Sequence, residues 1–292
     1  MSTSALRLPD GRDLEIRVVG PQEGLLLVFH HGSPGAAVPF PMLERAATER
    51  GLRLAAFSRP GFGASSRREG RRVADVAGDV AALAEHLGAE RLLALGWSGG
   101  GPHALATAAL LPERVLAAAT LAGVAPYEAE GLDWTEGMGE DNRIEYPLAA
   151  SDPEGLLRWM EPQVEALRAV TAEEVAGALR SLVSPTDERA LTGAFAEYVA
   201  SSFRAAFRSG PWGWYDDDLA FVSPWGFDLG EIRVPVAVWQ GAEDRFVPFA
   251  HGRWLAEHVP TARPRLRPEH GHLTLVEALG EILDDLLELA AA

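Results

Sequence analysis

The residues best suited to chemistry lie in Gly96-Trp97-Ser98-Gly99-Gly100. A serine with glycines two places before and two places after it can occupy a strained turn with its hydroxyl clear, because neither neighbour has a side chain to block it. That hydroxyl is a poor nucleophile at neutral pH and needs a base titrating nearby, a role an imidazole fills best. His270 and His272 share the turn Glu269-His270-Gly271-His272, whereas His86, His103, His251 and His258 fall on expected helices and read as surface or packing residues. The imidazole in turn needs a carboxylate to fix its tautomer. Asp244, Glu243 and the run Asp216-Asp217-Asp218 are the candidates. Such a set would transfer an acyl group.

These groups act together only if the chain between them folds to bring them to one point. Arg91 to Leu95 is an apolar run that reads as a buried strand, and Pro102 to Leu111 reads as a helix. Ser98 therefore sits at a strand-to-helix turn. Further apolar runs at Leu25 to His30, Leu52 to Phe57, Val115 to Ala122 and Val234 to Gln240 alternate with helical patterns. One of these carries Val73, Val76, Ala77, Val80, Leu83, Ala84 and Leu87 at the spacing of a single apolar stripe. The alternation predicts an α/β fold with a mostly parallel central sheet covered by helices on both faces. Asp10-Gly11 predicts an opening hairpin, Pro264 to Arg267 a short late strand, and Leu275 to Leu287 a closing amphipathic helix.

The pattern breaks near Pro126. From there to Trp225 no strand-like run appears, and Ser151-Asp152-Pro153-Glu154 and Thr171-Ala172-Glu173-Glu174 have capping-box spacing. The expected organisation is a core in two parts, 1–125 and 226–292, interrupted by a helical cap over 126–225. Trp134, Trp159, Trp212, Trp214, Tyr215 and Trp225 either pack this insertion onto the core or line an apolar pocket beneath it.

Composition narrows the chemistry. The formal charge of −16 would repel a nucleic-acid backbone or an anionic membrane surface, so neither is expected as a partner. All 26 basic residues are arginine, which excludes Schiff-base chemistry, a pyridoxal phosphate linkage and a phosphate-loop lysine. Without cysteine there is no thiol nucleophile, disulfide or thiolate metal site. The stretch Met1 to Arg7 has neither the charged start nor the apolar core of a signal peptide, and no apolar run reaches membrane-spanning length. The expectation is a cytoplasmic protein acting on a small molecule, with no cofactor or metal and with no sequence feature that sets its oligomeric state.

Five segments, in order, resemble the α/β-hydrolase fold superfamily in its lid-bearing branch: His31-Gly32-Ser33-Pro34-Gly35, Arg59-Pro60-Gly61-Phe62-Gly63, the Ser98 turn, Gly241 to Asp244 with Val247-Pro248, and Gly271-His272. The resemblance implies Ser98 as nucleophile, His272 rather than His270 as base, and Asp244 as the acid orienting it. It also implies an oxyanion hole formed by the backbone N–H groups of Ser33 and Gly99, with His30 and His31 flanking that loop. Trp97, beside the nucleophile, would line the acyl side of the pocket or be buried against the insertion. The implied activity is hydrolysis of an uncharged, fairly apolar carboxylic ester or related acyl compound. His31 to Gly35 also resembles the His-Gly-Gly-Pro-Gly of proline iminopeptidases, which hold a substrate amine with carboxylates, although the third residue here is Ser33. A ligand-binding member without catalysis is the remaining alternative.

Overall fold

The computed structural model describes residues 3–292; Met1 and Ser2, at the start of the segment read for a signal peptide, lie outside them. Eight strands form one sheet: β1 (Ser4–Arg7), β2 (Asp13–Val19), β3 (Leu26–His30), β4 (Arg53–Phe57), β5 (Leu92–Trp97), β6 (Val115–Leu121), β7 (Val236–Gly241) and β8 (Ala262–Arg267). Their order across the sheet is β1-β2-β4-β3-β5-β6-β7-β8. The β1–β2 and β2–β4 pairs are antiparallel and every other pair is parallel. The opening hairpin turns at Gly11, whose φ of +87° is one that glycine adopts without strain.

Strand periodicity decides which side chains go to which face. Leu27 and Phe29 of β3 join one buried cluster, and Leu26 and Val28 join the other. The first face is covered by α1 (Pro41–Glu49) and, through Leu279, Ile282, Leu283 and Leu286, by the last helix (Leu279–Ala291). The second face is covered by α2 (Val76–His86), α3 (Gly100–Leu110) and a helix at Phe249–His258. The expected elements fall where the apolar spacing puts them, with ends displaced by a few residues; the closing helix expected from Leu275 opens as the separate helical turn Thr274–Ala278 and is α-helical from Leu279, and the stripe from Val73 opens likewise on the turn Val73–Asp75.

Between β6 and β7 the chain forms six helices: α4 (Glu140–Ser151), α5 (Pro153–Ala169), α6 (Val175–Leu179), α7 (Pro185–Glu188), α8 (Gly193–Ala206) and α9 (Trp212–Phe221). The helix over Phe249–His258 is then α10 and the last is α11. Helices α5 and α8 continue the first cluster, contributing Leu156, Met160, Phe195 and Val199. This layer is packed onto the core rather than hanging from it.

One capping assignment is corrected. Ser151 ends α4, its hydroxyl donating to the Pro147 carbonyl, and the cap of α5 is Asp152, which accepts from the Gly155 N–H at 2.9 Å. Pro153 at the first helical position favours this register, because its missing N–H costs nothing there. At the second start, Glu174 reaches back to the Thr171 N–H at 3.0 Å, as its spacing predicts. No helix among the described residues is long and apolar enough to cross a membrane.

Candidate active site

The loops at the carboxyl ends of β3, β5, β7 and β8 build the site. Ser98 follows β5 with φ +55°, one of two non-glycine residues at positive φ among those described. Its backbone is held on both sides, the Ser98 N–H donating to the Leu121 carbonyl and the Gly101 N–H to the Ser98 carbonyl, each at 2.8 Å. The turn is tight enough to require glycine: a Cβ on Gly96 would strike the Gly100 carbonyl, and one on Gly100 the His30 carbonyl.

Asp244, on the loop after β7, is buried. One carboxylate oxygen accepts the N–H groups of Phe246 and Val247, both at 2.8 Å, while the other faces His272 Nδ1 at 2.8 Å and Gln240 Nε2 at 3.1 Å. Burial pushes this carboxyl up, opposed chiefly by the His272 ring. The imidazole is itself buried, stacked on Phe246 at 4.5 Å and tilted against Trp97 at 5.8 Å. With Nδ1 turned to Asp244, Nε2 is the free edge. Among the described residues no hydrogen bond joins it to Ser98 Oγ, a contact that commonly tightens only with substrate bound. His270 instead sets its Nδ1 against the Thr274 carbonyl, and Glu243 is exposed.

Two of the three aspartates in the run are engaged by arginines, while neither oxygen of buried Asp218 has a hydrogen-bond partner among the described residues. Asp216 pairs with Arg67 at 2.8 Å. Asp217 is enclosed by Arg59 and Arg71, each at 2.6 Å, and accepts the Ser33 hydroxyl at 2.8 Å. Burial would raise Asp217, but the two guanidiniums overturn it and hold the group ionised. Arg59 also donates to the carbonyls of His31 and Gly32. His31 completes the loop as a neutral ring: Nδ1–H donates to the Gly32 carbonyl at 2.6 Å and Nε2 accepts the Arg59 N–H at 3.1 Å. Burial, with Arg59 beside it, holds its pKa well below the ordinary histidine range. The result is a fixed Ser33 backbone against Gly99, where a Cβ on Gly99 would lie 2.8 Å from Ser33 Cβ. The Gly99 carbonyl is held by His103 Nδ1 at 2.8 Å.

Ser98 opens on two joined cavities. One of about 60 Å³ is lined by Trp97, Ser98, Tyr198, Val199, Phe203 and His272. The other, about 150 Å³, shares Ser33, Pro34, Ser98, Leu179, Phe203 and Phe246 with it and extends to Glu145, Tyr146, Trp159 and Trp214. The aromatic residues of the insertion therefore divide. Trp159, Trp214 and Tyr146 face the cavity, whereas Trp134 packs on Tyr127 and His251, and Trp212 lies over the Arg67 guanidinium. Trp97 lines the smaller cavity and packs against Phe195 and Tyr198 of α8. A roomier surface groove of about 650 Å³ between Tyr127, Trp225 and Trp254 contains none of Ser98, Asp244 or His272.

Nothing in the sequence places Asp217, Arg59 or Asp187. Asp217 was visible only as a rival acid and Arg59 only as a motif residue. Asp187 could have been noticed as the end of a Ser184-Pro-Thr-Asp187 helix start, which says nothing about the loop it meets.

Comparison with known proteins now defines the class. Residues 26–279 match the model of the alpha/beta hydrolase fold, and the chain belongs to that family. It is similar to the bifunctional esterase/perhydrolase DCH of Acinetobacter calcoaceticus, with 27% identity over 265 residues, 87% of each chain. Among solved structures it resembles a bromoperoxidase from Bacillus anthracis, with a TM-score of 0.70, 24% identity and coverage of 98% of this chain and 100% of that one. An esterase from Rhodococcus gives 0.68, 22%, 99% and 100%. At these identities the structural likenesses establish the fold.

Proposed function

We propose that the protein is a cofactor-free serine hydrolase that cleaves a small, uncharged, largely apolar carboxylic ester. Ser98 attacks the carbonyl as His272 Nε2 takes its proton, and Asp244 stabilises the cationic ring. The N–H groups of Ser33 and Gly99 receive the oxyanion. The Arg59–Asp217–Arg71 cluster behind Ser33 carries one net positive charge, which favours the developing negative charge. His272 returns the proton to the leaving alcohol, and water then releases the acyl group.

The single observation that carries this reading is the 2.8 Å contact between His272 Nδ1 and Asp244, in a ring that lines one cavity with Ser98. The adjoining larger cavity, about 150 Å³, supports a small substrate, since a void of about that volume accepts a benzene ring. The Acinetobacter relative, named as an esterase, supports the bond type. A panel of nitrophenyl esters is the test. Acetate and benzoate esters are expected to turn over, with kcat/KM falling about tenfold or more once the acyl chain exceeds the cavity. A fluorophosphonate should label the wild type but not Ser98→Ala. A folded protein that neither turns over any ester nor takes the label would instead be a ligand-binding member of the family.

One observation favours an amine-bearing substrate as the second reading. Glu145, at the far end of the larger cavity, accepts the Trp214 indole N–H at 2.6 Å and faces Asp218. Burial, with Asp141 nearby, pushes Glu145 up to about 7, and burial with Glu145 raises Asp218 as well. With both carboxyls raised, the pair keeps at most about one negative charge near neutral pH among Tyr146, Trp159 and Trp214, a setting that attracts an ammonium. Comparing a proline amide with nitrophenyl acetate separates the readings. Turnover of the acetate alone is expected, and preference for the amide, lost in Glu145→Gln, would reverse the assignment.

The same pair sets a pH dependence of stability. A carboxyl raised in the folded state stabilises the fold below its unfolded pKa and loses that contribution as pH rises through its folded value. For Glu145, displaced from 4.5 to about 7, the loss is on the order of 3 kcal/mol. The melting temperature should therefore fall between about pH 5 and about pH 8, and the fall should be smaller in Glu145→Gln. Equal slopes in the two proteins would refute it.

A further inference from the structure

Asp187, on the four-residue helix α7 of the insertion, is fully buried. Its carboxylate does not meet a guanidinium among the described ion pairs. Instead, one oxygen accepts the His272 N–H at 2.9 Å, and the other accepts the N–H groups of Leu273 and Thr274 at 2.8 and 2.9 Å. The Thr274 and Ser184 hydroxyls, both at 3.2 Å, complete its shell. The three N–H groups are the orphan donors at the start of the helical turn Thr274–Ala278, which a chain normally satisfies with its own capping residue. Leu273 precedes this turn and offers no acceptor, and the cap comes from a segment 85 residues away. The fit is close enough that a Cβ on Gly271 would collide with the Asp187 carboxylate, while the Gly271 N–H is held by Thr274 Oγ at 2.8 Å.

We propose that Asp187 is a positioning residue for His272, acting through the backbone of residues 272–274. The proposal rests on the serine hydrolase reading for its kinetic consequence but not for its geometry. Asp244 fixes the ring at Nδ1, and Asp187 fixes the peptide from which the ring hangs. Both restraints are needed to aim Nε2, because a ring bonded at one atom still swings about that bond. The restraint comes from the insertion, so the helical layer and the catalytic loop are held as one unit.

Asp187→Asn is the test in the full-length protein. It retains the size of the side chain but turns an N–H₂ toward backbone donors that need acceptors. With nitrophenyl acetate, kcat is expected to fall about 10- to 100-fold, as displacement of a reacting group by about 1 Å costs, while KM changes by less than about threefold. The downfield proton resonance of the His272 Nδ1–H bonded to Asp244, assigned by its loss in His272→Ala, should broaden or shift. A folded Asp187→Asn with kcat within about twofold of wild type, or with its loss in KM, overturns the proposal. Should that variant not fold, Ser184→Ala withdraws two hydrogen bonds from Asp187, the one its hydroxyl gives the carboxylate and the one it accepts from the Asp187 N–H, without touching the 272–274 loop. A two- to fivefold drop in kcat is then expected, about what one weakened support costs, and an unchanged kcat overturns it. If wild-type protein hydrolyses no ester and takes no fluorophosphonate, the hydrolase reading fails by itself. The resonance still decides the role of Asp187, and an unaltered signal in a folded variant, or in Ser184→Ala if Asp187→Asn does not fold, counts against it.

Discussion

Ser98→Ala is expected to abolish ester turnover, with kcat falling by about a millionfold, the loss seen when a hydrolase of this type is stripped of its nucleophile. The effect is so large because nothing near the turn can replace the hydroxyl. The chain has no cysteine or lysine, and the adjacent Ser33 hydroxyl is committed to Asp217. The fold should survive, since Ser98 Oγ is in no hydrogen bond among the described residues and the turn is held by backbone contacts to Leu121 and Gly101. Alanine is as strained as serine at φ +55°, so the melting temperature should change by only a degree or two. Residual turnover above about a thousandth of wild type, in a preparation free of contaminating esterase, would remove Ser98 from the mechanism.

The second large effect is expected in Asp244→Asn, where kcat should drop by about 10⁴ with the fold retained. The local hydrogen bonds explain why an isosteric change is so damaging. The oxygen that accepts the Phe246 and Val247 N–H groups holds its position and becomes the amide oxygen. The amide N–H₂ is thereby turned toward His272 Nδ1 and Gln240 Nε2. His272 must then accept at Nδ1 and carry its proton on Nε2, the tautomer that cannot take a proton from Ser98. Gln240 is left donor against donor, which adds a penalty of about 1–3 kcal/mol in stability. The pH profile should lose its plateau and rise with hydroxide. If Asp244→Asn works at wild-type speed, another acid orients the ring.

The parts of the site readable in the sequence are those encoded by local steric demands. Gly96 and Gly100 around Ser98 are required by the tightness of one turn, and Gly271-His272 and Gly241 to Asp244 are likewise short stretches at strand ends. Burial and alternation in β3 and β5 are set by the same short-range rules, so sheet and elbow could be placed without coordinates. The contacts of the insertion were not legible. Asp217 meets Ser33 across 184 residues and Asp187 meets His272 across 85, and nothing in a carboxylate's neighbours in sequence says which distant donors it will find. Trp159, on α5, lines the cavity, whereas Trp134, in the loop before α4, packs on Tyr127 and His251, a division set by tertiary packing and not by the residues beside each in sequence. The shift from Ser151 to Asp152 is a smaller case, in which two capable caps compete and the proline beside one decides.

Two acidic residues of the insertion, Asp217 from α9 and Asp187 from α7, grip loops that line the cavities at Ser98, one at the Ser33 hydroxyl and one at the His272 backbone. Exchanging this helical layer for that of another family member, a common route to altered selectivity, would sever both grips at once. A chimera made that way should acquire a new pocket and forfeit rate, unless the graft brings carboxylates to the same two points.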